Sequence, residues 1–140
     1  MKLQFLRFLK KSGVCLACLF RAAIFALIFS PSVQAATIGT ASWYSSEACQ
    51  FNPDPKCPMA NGRSLYDAEQ TETDFAAMWG VPFGTRVKVT NLANGKSVVV
   101  TVTDRGPAKR LNRVIDLSKR SFEKIAPLSS GIISVRAEVL

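Results

Sequence analysis

Residues 86–104, RVKVTNLANGKSVVVTVTD, constrain the fold more than any other stretch of the chain. Val87 and Val89 alternate with Arg86, Lys88 and Thr90, and beyond a turn Val98, Val100 and Val102 share one face. A period of two places successive side chains on opposite sides of a strand, so each half reads as a strand buried on one face. Between them lies Ala93-Asn94-Gly95, and Asn-Gly accepts the positive φ that a tight hairpin turn needs. A hairpin alone is marginal in water, so the flanking sequence has to supply further strands.

The flanks do so. Thr37–Ser45 (TIGTASWYS) is rich in β-branched and aromatic residues, and RVIDL (113–117) is a short apolar run. GIISVRAEVL closes the sequence with Ile133, Val135, Ala137 and Val139 alternating against Ser134, Arg136 and Glu138. Helix is scarce. Ser118 is placed to cap a helix in which Phe122 and Ile125 share a face and which Pro127 ends. Thr73–Trp79 (TDFAAMW) is expected to add another helical turn or two. Several short strands in a small domain make a closed barrel the expected answer to exposed sheet edges.

The first 35 residues read apart from this domain. Lys2, Arg7, Lys10, Lys11 and Arg21 are basic, no acid precedes Glu47, and the apolar run Ala22–Phe29 leads through SPS to VQA. That order is the pattern of a signal peptide, with cleavage expected after Ala35 or Ala36. The run is shorter than the roughly 20 residues that span a bilayer, so no stable span is expected in the mature form. An uncleaved anchor is the competing reading. Five of the 18 Lys and Arg and none of the 10 Asp and Glu precede residue 36, so the net charge of +8 falls to +3 over residues 36–140. A charge that small, with export and no interleaved aromatic and basic face, argues against nucleic acid as a partner.

Cys15 and Cys18 fall inside the leader, which leaves Cys49 and Cys57 around QFNPDPK, a loop containing two prolines. In an oxidising compartment a disulfide closing that loop is expected to add about 2–3 kcal/mol. The alternative is a metal site, for which two cysteines in a chain without histidine are poor ligands. Neither a metal nor a cofactor is expected.

Two acids end strands among many cations. Asp104 closes the second half of the hairpin ahead of Arg-Gly-Pro, and Asp116 sits in IDLS at a helix start. A carboxyl at the end of a buried strand is partly desolvated, which favours the protonated form that an acid catalyst needs. Turn chemistry, with the carboxylate bonding neighbouring amides, is the plain alternative for Asp104, and helix capping for Asp116. The nearby cations Arg105, Lys109, Arg110, Arg113, Lys119 and Arg120 suit a ligand carrying carboxylates or a merely solvated surface.

Taken together, GTASWYS, ANGRSLYD, VPFGTRVKVTNLANGKSVVVTVTDRGP and RVIDLSKRSFEKI resemble the rare lipoprotein A family, a double-psi β-barrel shared with expansins and barwin-like proteins. The resemblance runs from Gly39 to the last residue. It implies a mainly β fold over residues 36–140, a six-stranded double-psi barrel with one or two short helices. It also implies an endolytic transglycosylase of the periplasm or cell envelope, a monomer that cuts peptidoglycan glycan strands and leaves 1,6-anhydro ends. Two further readings stay open: an expansin-like module that binds or loosens wall glycan without cutting it, and an exported domain whose groove has decayed.

By the same resemblance Asp104 is the catalytic acid, while Ser42, Tyr44 and Asp116 line the groove; Arg105, from the cations beside Asp104, is expected to help hold the carboxylates of such a substrate. Trp43, alternate to Ser42 and Tyr44, is expected on the opposite face. Two positions depart from the family. Arg63 stands after Ala60-Asn61-Gly62 where a second catalytic glutamate is usual, and Met78 stands where a histidine is usual. Counted back from DRGP, the glutamate position falls on Asp67, which is expected to replace the missing acid or to be a solvated loop residue. The last strand reaches Leu140, so any targeting is expected to come from the barrel surface or a partner.

Overall fold

The computed structural model describes residues 36–51, 54, 56–71 and 74–140; the expected leader lies outside them. Six strands close into a barrel: β1 (Thr37–Tyr44), β2 (Phe75–Ala77), β3 (Arg86–Asn91), β4 (Ser97–Asp104), β5 (Ile115–Ser118) and β6 (Ile133–Val139). Their order around the barrel is β1-β5-β2-β4-β3-β6. β1 pairs parallel with β5 and β2 parallel with β4, and the other junctions are antiparallel. A closed sheet leaves no edge, as expected for so short a chain.

The hairpin β3–β4 forms as its alternation predicts, with Val87, Val89, Val98, Val100 and Val102 inside the barrel. Its turn is closed by Asn91 N–H to Lys96 O at 2.9 Å, and Gly95 takes φ +72°. The side-chain amides of Asn91 and Asn94 both donate to Ile125 O at 2.9 Å, which ties the turn to the end of a helix. That helix, α2 (Lys119–Ile125), follows α1 (Leu65–Thr71). Ser118 caps α2 by accepting from Ser121 N–H at 3.3 Å, and Phe122 and Ile125 are fully buried beside Ile115 and Leu117 in the barrel core. Full burial of each such side chain contributes about 1.5–3 kcal/mol.

One expectation is corrected. Phe75, Ala76 and Ala77, read as helical from TDFAAMW, form the central strand β2, all three buried. The segment pairs on both sides, with β4 and β5, and both of its faces are covered. A strand three residues long and buried on both faces shows no alternation, and its alanines mimic a helix former. The helix lies earlier, at α1. Leu65 and Ala68 of α1 join Cys49, Cys57, Met59 and Phe75 in a second apolar cluster outside the barrel, with Tyr44 packed against it. Cys49 and Cys57 form the expected disulfide, with Cα atoms 5.8 Å apart.

Candidate functional site

The barrel sheet carries a row of four residues on one level. In register across β1, β5, β2 and β4 stand Ser42, Asp116, Ala77 and Asp104: Ser42 opposite Asp116, Asp116 opposite Ala77, and Ala77 opposite Asp104. The two acids therefore flank one small residue, with main chains about 10 Å apart by strand spacing. Trp43, the neighbour of Ser42, packs against the barrel core as its alternation requires, with Nε1–H donating to Leu128 O at 3.2 Å.

Asp104 owes its direction to an irregularity. Val102 points into the core opposite Ala76, and strict alternation would turn Asp104 inward too. Between Ala76 and Ala77 the register shifts by one residue on β4, so Thr103 is looped out and Asp104 comes level with Ala77. Thr103 is buried outside, its hydroxyl donating to Met59 Sδ at 3.6 Å. Asp104 is half-buried, and its Oδ1 accepts two backbone N–H groups, from Ala60 and from Arg105, each at 2.7 Å. Oδ2 has no hydrogen-bond partner among the described residues. Gly106 folds back over the row: a Cβ there would lie 3.1 Å from Ala77 Cβ and 3.9 Å from Asp116 Oδ2. A side chain at this position would press on Ala77.

Asp116 accepts the hydroxyl of Ser42 on Oδ1, and Arg113 Nε lies 3.4 Å from the same oxygen without hydrogen-bond geometry. Tyr44 is on the same outer side. Its ring meets Phe75 edge-on at 5.9 Å, and its hydroxyl is buried with no hydrogen-bond partner among the described residues. Burial first, then the negative charges of Asp104, Asp116 and Glu69, push that phenol well above its ordinary range.

Asp67 sits exposed in the first turn of α1, its N–H 3.4 Å from Ser64 Oγ, and it shares a shallow recess with Lys56, Arg63 and Tyr66. It is not among the acids that bear on Tyr44. The acid of α1 that does so is Glu69, which sequence reasoning missed. Glu69 accepts from Ser46 N–H at 2.9 Å and from the Ser46 hydroxyl, and it lines a cavity of about 210 Å³ with Phe75, Lys119 and Arg120. Its place one residue after buried Ala68 was the only signal. Met78, at the position of the family histidine, is buried in the barrel core. Arg105 donates from Nη1 to Met78 O at 3.0 Å and lies 3.8 Å over the Phe83 ring, while Lys119 pairs with Glu47 at 2.6 Å. Among the described residues no group of three or more His, Cys, Asp or Glu is placed to hold a metal.

The chain and its fold have known counterparts. A family model described as "Lytic transglycolase" matches residues 36–137. The chain is 54% identical over 83 residues to a probable endolytic peptidoglycan transglycosylase RlpA of Nostoc sp., covering 59% of this chain and 21% of that protein. It is 42% identical over 104 residues to the protein so named in Synechocystis sp., covering 73% of this chain and 28% of that one. The chain thus spans between about a fifth and three tenths of the length of these curated relatives. Among solved structures, the Streptomyces papain inhibitor superposes with a TM-score of 0.56 at 23% identity, over 79% of this chain and 99% of that one. That likeness is one of fold. The closed six-stranded barrel and the extent of the family match agree, and the chain belongs to the lytic transglycolase family of double-psi β-barrels.

Proposed function

We propose that the protein is an exported, envelope-located lyase that cuts peptidoglycan glycan strands within the chain, with Asp104 as general acid and base. The observation that carries this reading is the outward turn of Asp104 at the β4 irregularity, level with Asp116 across Ala77. Both donors to Asp104 converge on Oδ1, and Oδ2 has no hydrogen-bond partner among the described residues, which supports its use on a substrate. In the proposed step Asp104 gives its proton to the glycosidic oxygen as the bond from that oxygen to the anomeric carbon breaks. The 6-hydroxyl oxygen of the same sugar then bonds to the anomeric carbon and returns its proton to the carboxylate. The products are a free 4-hydroxyl and a 1,6-anhydro end, no water is consumed, and one carboxyl group suffices.

Asp116 and Ser42 are proposed to hold sugar hydroxyls beside the scissile bond. The role expected for Asp67 as a second acid has less support, since its turn of α1 is exposed beside Arg63. Glu69, whose charge bears on Tyr44 together with those of Asp104 and Asp116, is the better-placed third carboxylate.

Purified peptide-free glycan strands incubated with the protein and read by mass spectrometry test the reading. Wild type is expected to release 1,6-anhydro ends, and Asp104→Asn to release about 10²–10⁴-fold fewer. Equal release from both variants removes Asp104 from the mechanism. Arg63, in place of the family glutamate, favours one second reading, a barrel that binds glycan without cutting it. Strands retained by wild type with no anhydro ends would establish that reading instead.

A further inference from the structure

We propose that Trp79 and Phe83, flanked by Arg105 and Lys109, form a subsite for a carboxylate-bearing sugar next to Asp104. The inference rests on the glycan-strand reading above and names the residues that would carry the strand beyond the acid.

The segment 78–84 departs and returns at the end of β4. Met78 N–H donates to Asp104 O at 3.2 Å, and Gly84 N–H donates to Val102 O at 2.8 Å. The loop between them therefore projects from the strand end that carries Asp104. Both of its aromatic side chains are exposed, Trp79 by 47% and Phe83 by 42%, although large apolar groups gain nothing by facing water.

Neither ring is loose. Trp79 Nε1–H donates to Pro107 O at 2.7 Å, which anchors one edge of the indole to the turn after Asp104. Phe83 is covered on one face by the Arg105 guanidinium at 3.8 Å, itself fixed by Met78 O. Exposed aromatic faces already held in place lose little entropy when a ligand docks, and their electron-rich faces attract the C–H faces of a pyranose ring. Lys109 Nζ lies 5.6 Å from the Trp79 centroid, and Arg105 uses one of its five N–H donors on Met78. Rings between two cations suit a sugar that carries an acid: the ring stacks and the carboxylate meets the cations. In a peptidoglycan strand that acid is the lactyl carboxylate of alternate residues, which chitin oligosaccharides of the same backbone lack.

The probes follow from that contrast. Binding of peptide-free peptidoglycan strands and of chitohexaose is measured by calorimetry on the non-cutting Asp104→Asn protein and on its Trp79→Ala and Lys109→Glu derivatives. Both added substitutions are at exposed positions, and unchanged circular dichroism and melting temperature confirm folding. Trp79→Ala is expected to weaken both ligands by about tenfold. Lys109→Glu is expected to weaken only the carboxylate-bearing strands, and to lessen the salt dependence of their binding. Unchanged affinity in Trp79→Ala, or equal loss for both ligands in Lys109→Glu, overturns the subsite. Cleavage by the wild type combined with unchanged binding in Trp79→Ala removes the subsite and leaves the lyase. Binding that depends on Trp79 in a protein that releases no anhydro ends does the reverse.

Discussion

The backbone N–H of Ala60 donates to Asp104 Oδ1 at 2.7 Å, across 44 residues of sequence. Ala60 belongs to the loop that enters α1, and that loop is held from below. Met59 is buried, Gly62 N–H donates to Met59 O at 2.9 Å, and Leu65 N–H donates to Cys57 O at 3.1 Å. The acid proposed to protonate the glycosidic oxygen thus takes its aim from a segment whose position depends on the second apolar cluster and on the disulfide inside it.

Breaking the disulfide is therefore expected to affect both stability and activity. The Cys49→Ser, Cys57→Ser double variant loses the loop constraint, about 2–3 kcal/mol for a closure of this length. It also frees Cys57, three residues before Ala60, to carry the amide away from Asp104. Urea unfolding should show the lower midpoint, and release of anhydro ends should fall several-fold at a temperature where the variant is folded. Full activity in the folded variant would detach the loop from the aim of Asp104.

Tyr44 makes a prediction about alkali. Its phenol is held neutral in the fold by burial and by the surrounding acids, whereas in the unfolded chain it ionises near pH 10. Above about pH 10 the unfolded state therefore binds fewer protons than the native state, and stability declines as pH rises. Below that pH this contribution is complete and flat. Tyr44→Phe removes the titration and a buried hydroxyl without a partner among the described residues, so it is expected to flatten the alkaline decline and to leave neutral stability unchanged or raised by up to about 1 kcal/mol. Thermal melts of both proteins from pH 7 to 11 decide it. Parallel alkaline slopes would show that other groups govern the decline.

Much of the barrel was legible because its strands are buried on one face. Val87 to Val89, Val98 to Val102 and Val135 to Ala137 alternate in the sequence as they do around the core. β2 was not legible, because a strand buried on both sides has no alternating partner residues to betray it. Asp104 and Asp116 were singled out by their place at strand ends, and Ser42 by the resemblance. Their alignment was hidden, since it depends on a one-residue shift between β2 and β4 that no local pattern records. Tyr44 was singled out by the resemblance as a groove residue; its packing against the second apolar cluster had no local signal. Glu69 and Trp79 were overlooked for opposite reasons. The first lies on a helix that the sequence did not announce, and the second lies in a loop where exposed aromatics leave no periodic trace.

Gly39 tests the packing of β1. A Cβ built there overlaps the Val114 side chain, which leads into β5. Val114 is β-branched and has little rotamer freedom to move aside. Gly39→Val should lower stability by about 1–3 kcal/mol through overpacking, read as a lower melting temperature. Gly39→Val with Val114→Ala should recover most of that loss. An unaltered melting temperature in the single variant would mean that β1 shifts freely against β5.

Ser42 and Asp116 give the sharpest separation of structure from chemistry at the site. Ser42 is buried, and its hydroxyl is donated to Asp116 Oδ1, which Arg113 Nε approaches at 3.4 Å. Ser42→Ala removes a donor to a charged acceptor, a loss of about 1.5–3 kcal/mol where the acceptor stays buried. Asp116 then turns toward Arg113, away from Ala77 and the Asp104 side of the row. A variant that only weakened the fold would lose activity in step with the folded fraction. Instead, Ser42→Ala is expected to raise KM for glycan strands about tenfold with kcat little changed at temperatures where it is fully folded, because sugar holding rather than proton transfer is lost. Ser42→Thr keeps the hydroxyl and should restore KM. A fall in kcat with unchanged KM would instead place the Ser42–Asp116 pair in the chemical step.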